Sequence, residues 1–503
     1  MPNVIDPVTH NATTRPDATA VIGDSTTLSY AQLHDAALRY AAALREAGVG
    51  RDDRVLLAAP SVPEFAVAYL GVQAAGATIV TVNTMSTVAE LDYFLGDCGA
   101  ALAIGHRSIG STVAESAAAA SIPFWELDDS TISPSDRPQT SVATPVDREL
   151  SETAAILYTS GTTGKPKGAE LTVGNLLAAG EVAAQVSRGT SDDRLGTGLP
   201  LFHVFGQASV MMAAFTSGAS MSLLGRFTPR AMIDMLTRDR LTVVCGVPTM
   251  WNAMLHEATD ADADGFAHLR VAVSGGASLP GEIARAFEQR FGCTLLEGYG
   301  LTETTAMATF NDIDRGGKVG STGSVVPRMR VEIRDVDGVP CAPGTVGEVV
   351  VAGDMVFTGY WRNPEASAAA LSPDGCFRTG DLGEFDADGD LRIVDRMKDL
   401  IIRGGYNVYP GEVEEVLYAH PDVVEAAVIG VPDTHYGEEV AALVALTPDS
   451  TVDPDAIESW CRERLSAYKI PRIIRFVDQL PKGSTGKILK RSIDRTQLRR
   501  TTA

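Results

Sequence analysis

The run Tyr158-Thr159-Ser160-Gly161-Thr162-Thr163-Gly164-Lys165-Pro166-Lys167-Gly168 gathers hydroxyls, glycines and two lysines in one short stretch. It follows the apolar Ala154-Ala155-Ile156-Leu157, which reads as a buried strand, and a helical pattern opens near Thr172. The expectation is therefore strand, glycine-rich turn, helix, a common way for a backbone to wrap a phosphate. Glycines permit positive φ and close approach, amide N–H groups converge, and hydroxyls and lysines add donors and charge. A Walker loop is a poor fit, because Pro166 follows Gly164-Lys165 and Thr159 stands where the first glycine belongs.

The elements that must position this loop lie in a chain of 503 residues, long enough for two or three domains. A formal charge of −22 argues against nucleic acid and anionic membrane surfaces, both of which demand a basic face. Small molecules or proteins are the expected partners, and an anionic ligand would need local positive charge such as the loop lysines supply. The six cysteines include no CxxC pair and no basic-then-apolar leader is evident, so reduced thiols and a cytoplasmic location are expected. Dispersed histidines give no His/Cys metal site. The longest apolar stretch, residues 65–82, contains Gln73 and several glycines and reads as a buried helix passing into a strand, with no transmembrane segment.

Residues 1–150 alternate helix and strand patterns, with an amphipathic helix through Leu33, Ala37, Tyr40, Ala41 and Leu44 and a strand at 54–58. Residues 128–147, rich in Ser, Thr, Pro and Asp, read as a surface connection. A second α/β series spans about 154–300, followed by period-two alternation at 331–335 and 347–351 that marks a smaller β-rich subdomain. Charged residues 395–399 separate a strand at 391–394 from the final ~100 residues, enough for a small α+β domain.

Taken in order, several further motifs resemble those of the adenylate-forming enzymes: acyl-CoA synthetases, peptide-synthetase adenylation domains and luciferases. Besides the glycine-rich run they are Leu28-Ser29-Tyr30-Ala31-Gln32-Leu33, Leu199-Pro200-Leu201-Phe202-His203-Val204-Phe205-Gly206, Ser274-Gly275-Gly276-Ala277-Ser278-Leu279-Pro280 and Gly298-Tyr299-Gly300-Leu301-Thr302-Glu303-Thr304. Arg378-Thr379-Gly380-Asp381, Asp395-Arg396-Met397-Lys398-Asp399, Arg403-Gly404-Gly405-Tyr406-Asn407 and Pro481-Lys482-Gly483-Ser484-Thr485-Gly486-Lys487 complete the set. The resemblance implies an α/β N-terminal domain of parallel-sheet subdomains plus the β-rich subdomain over 1–396, and a small mobile α+β domain over 397–503.

The chemistry it implies is attack of a carboxylate oxygen on the α-phosphate of ATP, which needs preplaced cations and donors where phosphate charge builds. Glu303 and Thr159 would hold Mg²⁺, which suits hard oxygen ligands, and Thr302 would touch phosphate. Ser160, Gly161, Thr162, Thr163, Gly164 and Lys167 would grip the phosphates, and Gly275, Gly276 and Ala277 would let the backbone pass the adenine, with Tyr299 stacking on it and Glu297, Gly298 and Gly300 as further ATP-binding positions. Asp381 and Arg396 would hold the ribose. Lys487, at the end of Gly-x-x-Gly-Lys, would be carried by a flexible loop to the reacting oxygens. In the basic tail with Lys482, Lys490, Arg491, Arg495, Arg499 and Arg500, it would otherwise read as part of a solvated face.

His203, Val247, Pro248, Gly298, Gly300 and Leu301 are expected around the acyl group, with Thr249 and Met250 extending an apolar wall. Relatives that activate amino acids carry an Asp where this chain has Val204, and an ammonium without that partner would be costly to bury. Glycine at 298 and 300 implies an open, uncharged pocket for a hydrophobic carboxylic acid: medium or long fatty, aromatic or polycyclic. CoA is the expected thiol, reached by rotation about Lys398 that forms a tunnel at Gly404, Gly405 and Tyr406. The alternatives are an acyl-AMP ligase loading a carrier-protein thiol and an inactive ligand-binding relative; a homodimer is left open.

Overall fold

The computed structural model describes residues 2–128, 144–159, 165–448, 450–495 and 498. Residues 160–164 of the glycine-rich run, most of the 128–147 connection, and Arg499 and Arg500 lie outside the described residues.

The α/β expectation holds, and two large sheets carry it. One has seven strands in the order Gly359–Tyr360, Lys167–Thr172, Thr153–Thr159, Thr78–Thr81, Arg54–Ala58, Leu102–His106, Phe124–Leu127. The last five of these run parallel. The other has nine, in the order Ser324–Val325, Thr309–Phe310, Thr294–Tyr299, Val271–Ser274, Val243–Gly246, Arg194–Thr197, Ser220–Leu223, Thr19–Ile22, Thr27–Ser29. From Thr294–Tyr299 to Thr19–Ile22 it too is parallel.

Parallel strands buried on both faces need helical cover, and the sequence supplies it with clean start signals. Ser29 and Gln32 form a reciprocal cap on helix Tyr30–Glu46, as Thr172 and Asn175 do on helix Val173–Val186. Helix Pro63–Ala75 is buried along its whole length, which explains why Glu64 and Gln73 are its only strongly polar residues. It passes into strand Thr78–Thr81 as expected, and among the described residues no helix is long and apolar enough to cross a membrane.

Two expectations need correction. The two α/β series are interleaved and not consecutive: Thr19–Ile22 and Thr27–Ser29 pair into the second sheet, whereas Thr153–Thr159 and Lys167–Thr172 belong to the first. The glycine-rich run also does not lead into a helix. The strands on either side of residues 160–164 pair antiparallel, with Thr159 opposite Lys167 and Ile156 opposite Glu170; the helix expected near Thr172 does open at Val173, after strand Lys167–Thr172. A Cβ at Gly168 would lie 2.6 Å from Ile156 Cγ2, so glycine there lets the two strands meet.

The β-rich subdomain is an antiparallel sheet of Met329–Arg334, Gly347–Gly353, Phe377–Phe385 and Leu391–Arg396. Its last strand runs two residues past the expected end, because Asp395 and Arg396 stay paired with Leu382 and Asp381. The C-terminal unit has its own five-stranded sheet, with long strands Val423–Asp433 and Gly437–Leu446, and its own apolar core around Val413, Leu417, Val428, Val440 and Ile457.

Candidate active site

Strand ends of the nine-stranded sheet and of the β-rich sheet converge on one place. Val271–Ser274 runs into the turn at Gly275 and Gly276, where Gly276 has φ +82°. Thr294–Tyr299 ends at Tyr299, whose hydroxyl donates to Asp381 Oδ2 at 2.6 Å. Arg396, the register partner of Asp381, lies 3.3 Å from Oδ1. Burial pushes the Asp381 carboxyl up while Arg396 and Tyr299 hold it down. The same burial, with Asp381 beside it, pushes the Tyr299 phenol far above its usual range.

The short turn Thr302–Thr304 presents Glu303, a buried carboxylate. Its Oε1 accepts from the Tyr360 hydroxyl at 2.9 Å and from Thr159 Oγ1 at 3.4 Å, and burial raises its pKa. Lys167 Nζ sits 5.3 Å from the Tyr360 ring centroid, so Thr159, Lys167, Tyr360 and Glu303 form one group. The turn is strained: Thr305 and Ala306, neither a glycine, have φ +47° and +79°. Thr305 Oγ1 donates to Met355 O at 2.7 Å and Ala306 N to Leu301 O at 2.9 Å, which hold that conformation.

Lys487 reaches this place from the C-terminal unit. A Cβ on Gly276 would lie 2.7 Å from Lys487 Cε, so the lysine stem occupies the room that glycine leaves. Burial and the Arg396 guanidinium push its ammonium down to about 8, with Asp381 opposing. His203 is next to it. Burial and the Lys487 charge push the imidazole down to about 3, so it is neutral at pH 7. Its Nδ1 accepts from Phe205 N at 3.3 Å, which leaves the proton on Nε2. The chain then enters a π-helical segment, Phe205–Met212, a geometry frequent at functional sites.

The loop that carries Lys487 is tied down on both sides. Lys482 faces Ile488 across an antiparallel bridge, and Gly483 N donates to Lys487 O at 2.9 Å. Beyond each end a lysine pairs with a glutamate, Lys482 with Glu425 and Lys490 with Glu414 at 2.7 Å. Both glutamates are themselves fixed by backbone amides, of Leu480 and Val428.

Several expected roles change. Glycines 298 and 300 do not hollow out a pocket. A Cβ at Gly300 would collide with the Ala306 and Met307 backbone, and one at Gly298 would meet Phe310 Cδ2 at 2.9 Å. Glu297 turns inward, accepting from Leu279 N at 3.1 Å with its carboxyl pushed up to about 8 by burial; it braces the turn after Gly276. Ala277 is exposed, Thr302 and Leu301 are half-buried near Glu303, and Val247 is buried with its side chain toward Gly276 and Gly486. Pro248 opens the next helix, and Thr249 points its hydroxyl at the lysine loop and not into an apolar wall.

Gly404, Gly405 and Tyr406 are not brought together with Lys487. They form an exposed hairpin whose two glycines have φ +56° and +84°, and Tyr406 stacks on Tyr468 at 4.8 Å. Lys398 lies exposed in the turn Met397–Asp399. Residues 160–164 cannot be placed in the site, lying outside the described residues. Tyr360, Phe310 and the direction of the Thr249 hydroxyl were missed from sequence; aromatic side chains give no periodic signal. Among the described residues, the acidic group Asp386, Asp388 and Asp390 already holds Lys318, at 2.6, 2.7 and 3.6 Å.

Comparison with known proteins gives the family. Residues 8–361 match the AMP-binding enzyme family and residues 412–487 match the AMP-binding enzyme C-terminal domain. A feruloyl-CoA synthase of an Amycolatopsis species is 38% identical over 485 residues, covering 95% of this chain and 96% of that protein. A long-chain-fatty-acid–CoA ligase of Bacillus subtilis (strain 168) is 34% identical, covering 97% and 93%. The crystal structure of ATP-bound MatB from Rhodopseudomonas palustris superimposes with a TM-score of 0.90 at 33% identity, covering 97% of this chain and 98% of that one.

The lysine environment is directly testable. Amine-reactive labelling across pH, read by mass spectrometry, should show Lys487 half-deprotonated near pH 8, about two units below exposed lysines. Arg396→Met should raise that midpoint by removing a like charge, and Asp381→Asn should lower it. A midpoint matching exposed lysines would contradict the buried placement.

Proposed function

The chain belongs to the AMP-binding enzyme family as an AMP-forming acyl-CoA ligase, and we propose that its acid is hydrophobic: medium or long fatty, aromatic or polycyclic. The observation that carries the proposal is the meeting of Lys487 with a neutral His203 at Gly276, beside apolar Val247 and Phe205 and close to the Phe310 wall over Gly298. Neither His203 nor any of these walls offers a second cation to a distal carboxylate. The relatives named for ferulate and for long-chain fatty acids support the same class.

In the proposed reading, residues 1–396 form the adenylating domain and 397–503 a unit that turns about Lys398. Asp381, with both oxygens directed by Tyr299 and Arg396, accepts from the ribose hydroxyls. A hard divalent cation fits the oxygen donors of Glu303 and Thr159, and bound there Mg²⁺ would neutralise phosphate charge. Lys487 places its ammonium at the carboxylate and α-phosphate oxygens. The carboxylate oxygen forms the new bond to the α-phosphorus while the bond to pyrophosphate breaks, and Lys487 meets the charge that develops. His203, uncharged, lines the acyl side without competing for the carboxylate. The CoA sulfur then attacks the acyl carbonyl, losing its proton, and AMP leaves.

Pyrophosphate release over a panel of acids, with and without CoA, tests substrate and acceptor together. Octanoate, longer fatty acids and benzoate- or cinnamate-type acids should be activated well, and acetate, malonate and amino acids poorly. Malonate outperforming the hydrophobic acids would refute the substrate class, and release without thioester formation would refute CoA.

Lys487→Ala should slow ATP–pyrophosphate exchange by about 10²–10³-fold, or about 3–4 kcal/mol, as expected when a donor to developing charge is lost. Thioester formation from a supplied acyl-adenylate should fall far less. Equal loss in both steps contradicts the assigned role.

The exposed hairpin separates the second step. Asn tolerates the left-handed backbone of Gly405 better than other side chains, so Gly405→Asn should fold and keep exchange within a few-fold. It should cut single-turnover CoA transfer at least tenfold if the hairpin lines the pantetheine path. Unchanged transfer would assign Gly405 to the turn alone.

A further inference from the structure

We propose that Thr249 and Asn83 are positioning residues for Lys487, two side chains of the large domain that grip the lysine loop and hold its ammonium over Gly276. Thr249 Oγ1 donates to the Gly486 carbonyl at 2.9 Å. That carbonyl shares a peptide plane with Lys487 N, so the hydroxyl fixes the plane from which the lysine side chain springs. Asn83 Nδ2 donates to Ser484 Oγ at 2.8 Å, and its Oδ1 accepts from Met85 N at 2.9 Å, which settles the end of the amide that faces the loop.

Packing sharpens the grip. Gly486 has φ +81°, and a Cβ there would lie 3.0 Å from Thr249 Oγ1 and 3.2 Å from Val247 Cγ2. The loop therefore seats against Val247 and Thr249 with no room for a side chain. Its other ties, Lys482 to Glu425, Lys490 to Glu414 and Gly483 N to Lys487 O, all lie inside the C-terminal unit and travel with it. They shape the loop but cannot say where on the large domain it lands. The Thr249 and Asn83 bonds cross between the two units at the loop itself.

The inference rests on the proposed role of Lys487 in adenylation. Once the C-terminal unit turns away, both bonds are broken, so their loss bears on adenylation and spares thioester formation. A neutral hydrogen bond of this kind converts to roughly three- to tenfold in rate. Misplacement of the ammonium adds to this, because small displacements of a reacting group are costly.

The test compares Thr249→Val, Thr249→Ser and Asn83→Ala with wild type and Lys487→Ala. ATP–pyrophosphate exchange and single-turnover thioester formation from a supplied acyl-adenylate are measured on each. Thr249→Val and Asn83→Ala should each lose about three- to tenfold in exchange, and more together, while thioester formation stays within twofold or rises. Thr249→Ser should restore exchange to within twofold, since it keeps the donor and loses only a methyl. Unchanged exchange, an equal fall in both steps, or a serine variant as slow as the valine variant would each overturn the proposal. If Lys487→Ala itself leaves exchange intact, the reading of the lysine fails first, whatever Thr249 does.

Discussion

A lysine ammonium held out of water next to a guanidinium is the constraint on which the rest of the site depends. Burial alone disfavours a charged amine, and Arg396 adds like-charge repulsion that Asp381 only partly offsets. His203, being neutral, adds no further positive charge. In the proposed reaction the substrate carboxylate and the triphosphate would pair with the Lys487 ammonium, so that the cost of burying it is offset by binding and transition-state stabilisation.

Holding charges that repel requires rigid support, and each is tied to a sheet end. Asp381 and Arg396 face each other by strand register, and Tyr299 reaches Asp381 from the end of a parallel strand in the other sheet. Glu303 sits in a turn made possible by Gly300, where any Cβ would strike the Ala306 backbone. The left-handed Thr305 and Ala306 that follow store strain, and it persists because Met355, Leu301 and the close-packed Gly300 over-determine the turn. Strain beside a buried carboxylate is a mark of a site shaped for a ligand, and it was invisible in the sequence because Thr-Thr-Ala carries no local signal for positive φ.

What could be read in the sequence was whatever depends on periodicity or on residue types at short spacing. The helix into strand at 63–81, the capped helices at 30 and 173, the antiparallel β-rich sheet and the separate C-terminal sheet all follow from apolar repeat and capping chemistry. The residues that converge, Glu303, Asp381, Arg396, Lys487 and His203, were legible through ordered motifs. What was not legible was tertiary. Interleaving of the two large sheets depends on which edge a short strand such as Thr19–Ile22 joins, and four residues do not encode that. Glycines were misread for a similar reason: absence of a side chain says that something comes close, and at 298 and 300 that something is Phe310 and the Ala306 backbone, not substrate.

The stapled loop also narrows how the proposed domain turn can work. Lys482 and Lys490 pair with Glu425 and Glu414 of the same unit, so in the proposed reading the loop and Lys487 travel with the C-terminal unit. The turn must then be absorbed near Met397–Asp399, where the chain leaves the β-rich sheet immediately after the Asp381–Arg396 pair. In the proposed reading the bonds from Thr249 and Asn83 hold the unit where Lys487 reaches the site, and turning away breaks both. Two arrangements of comparable free energy are what a ligase needs if one lysine must be present for its first step and absent for its second.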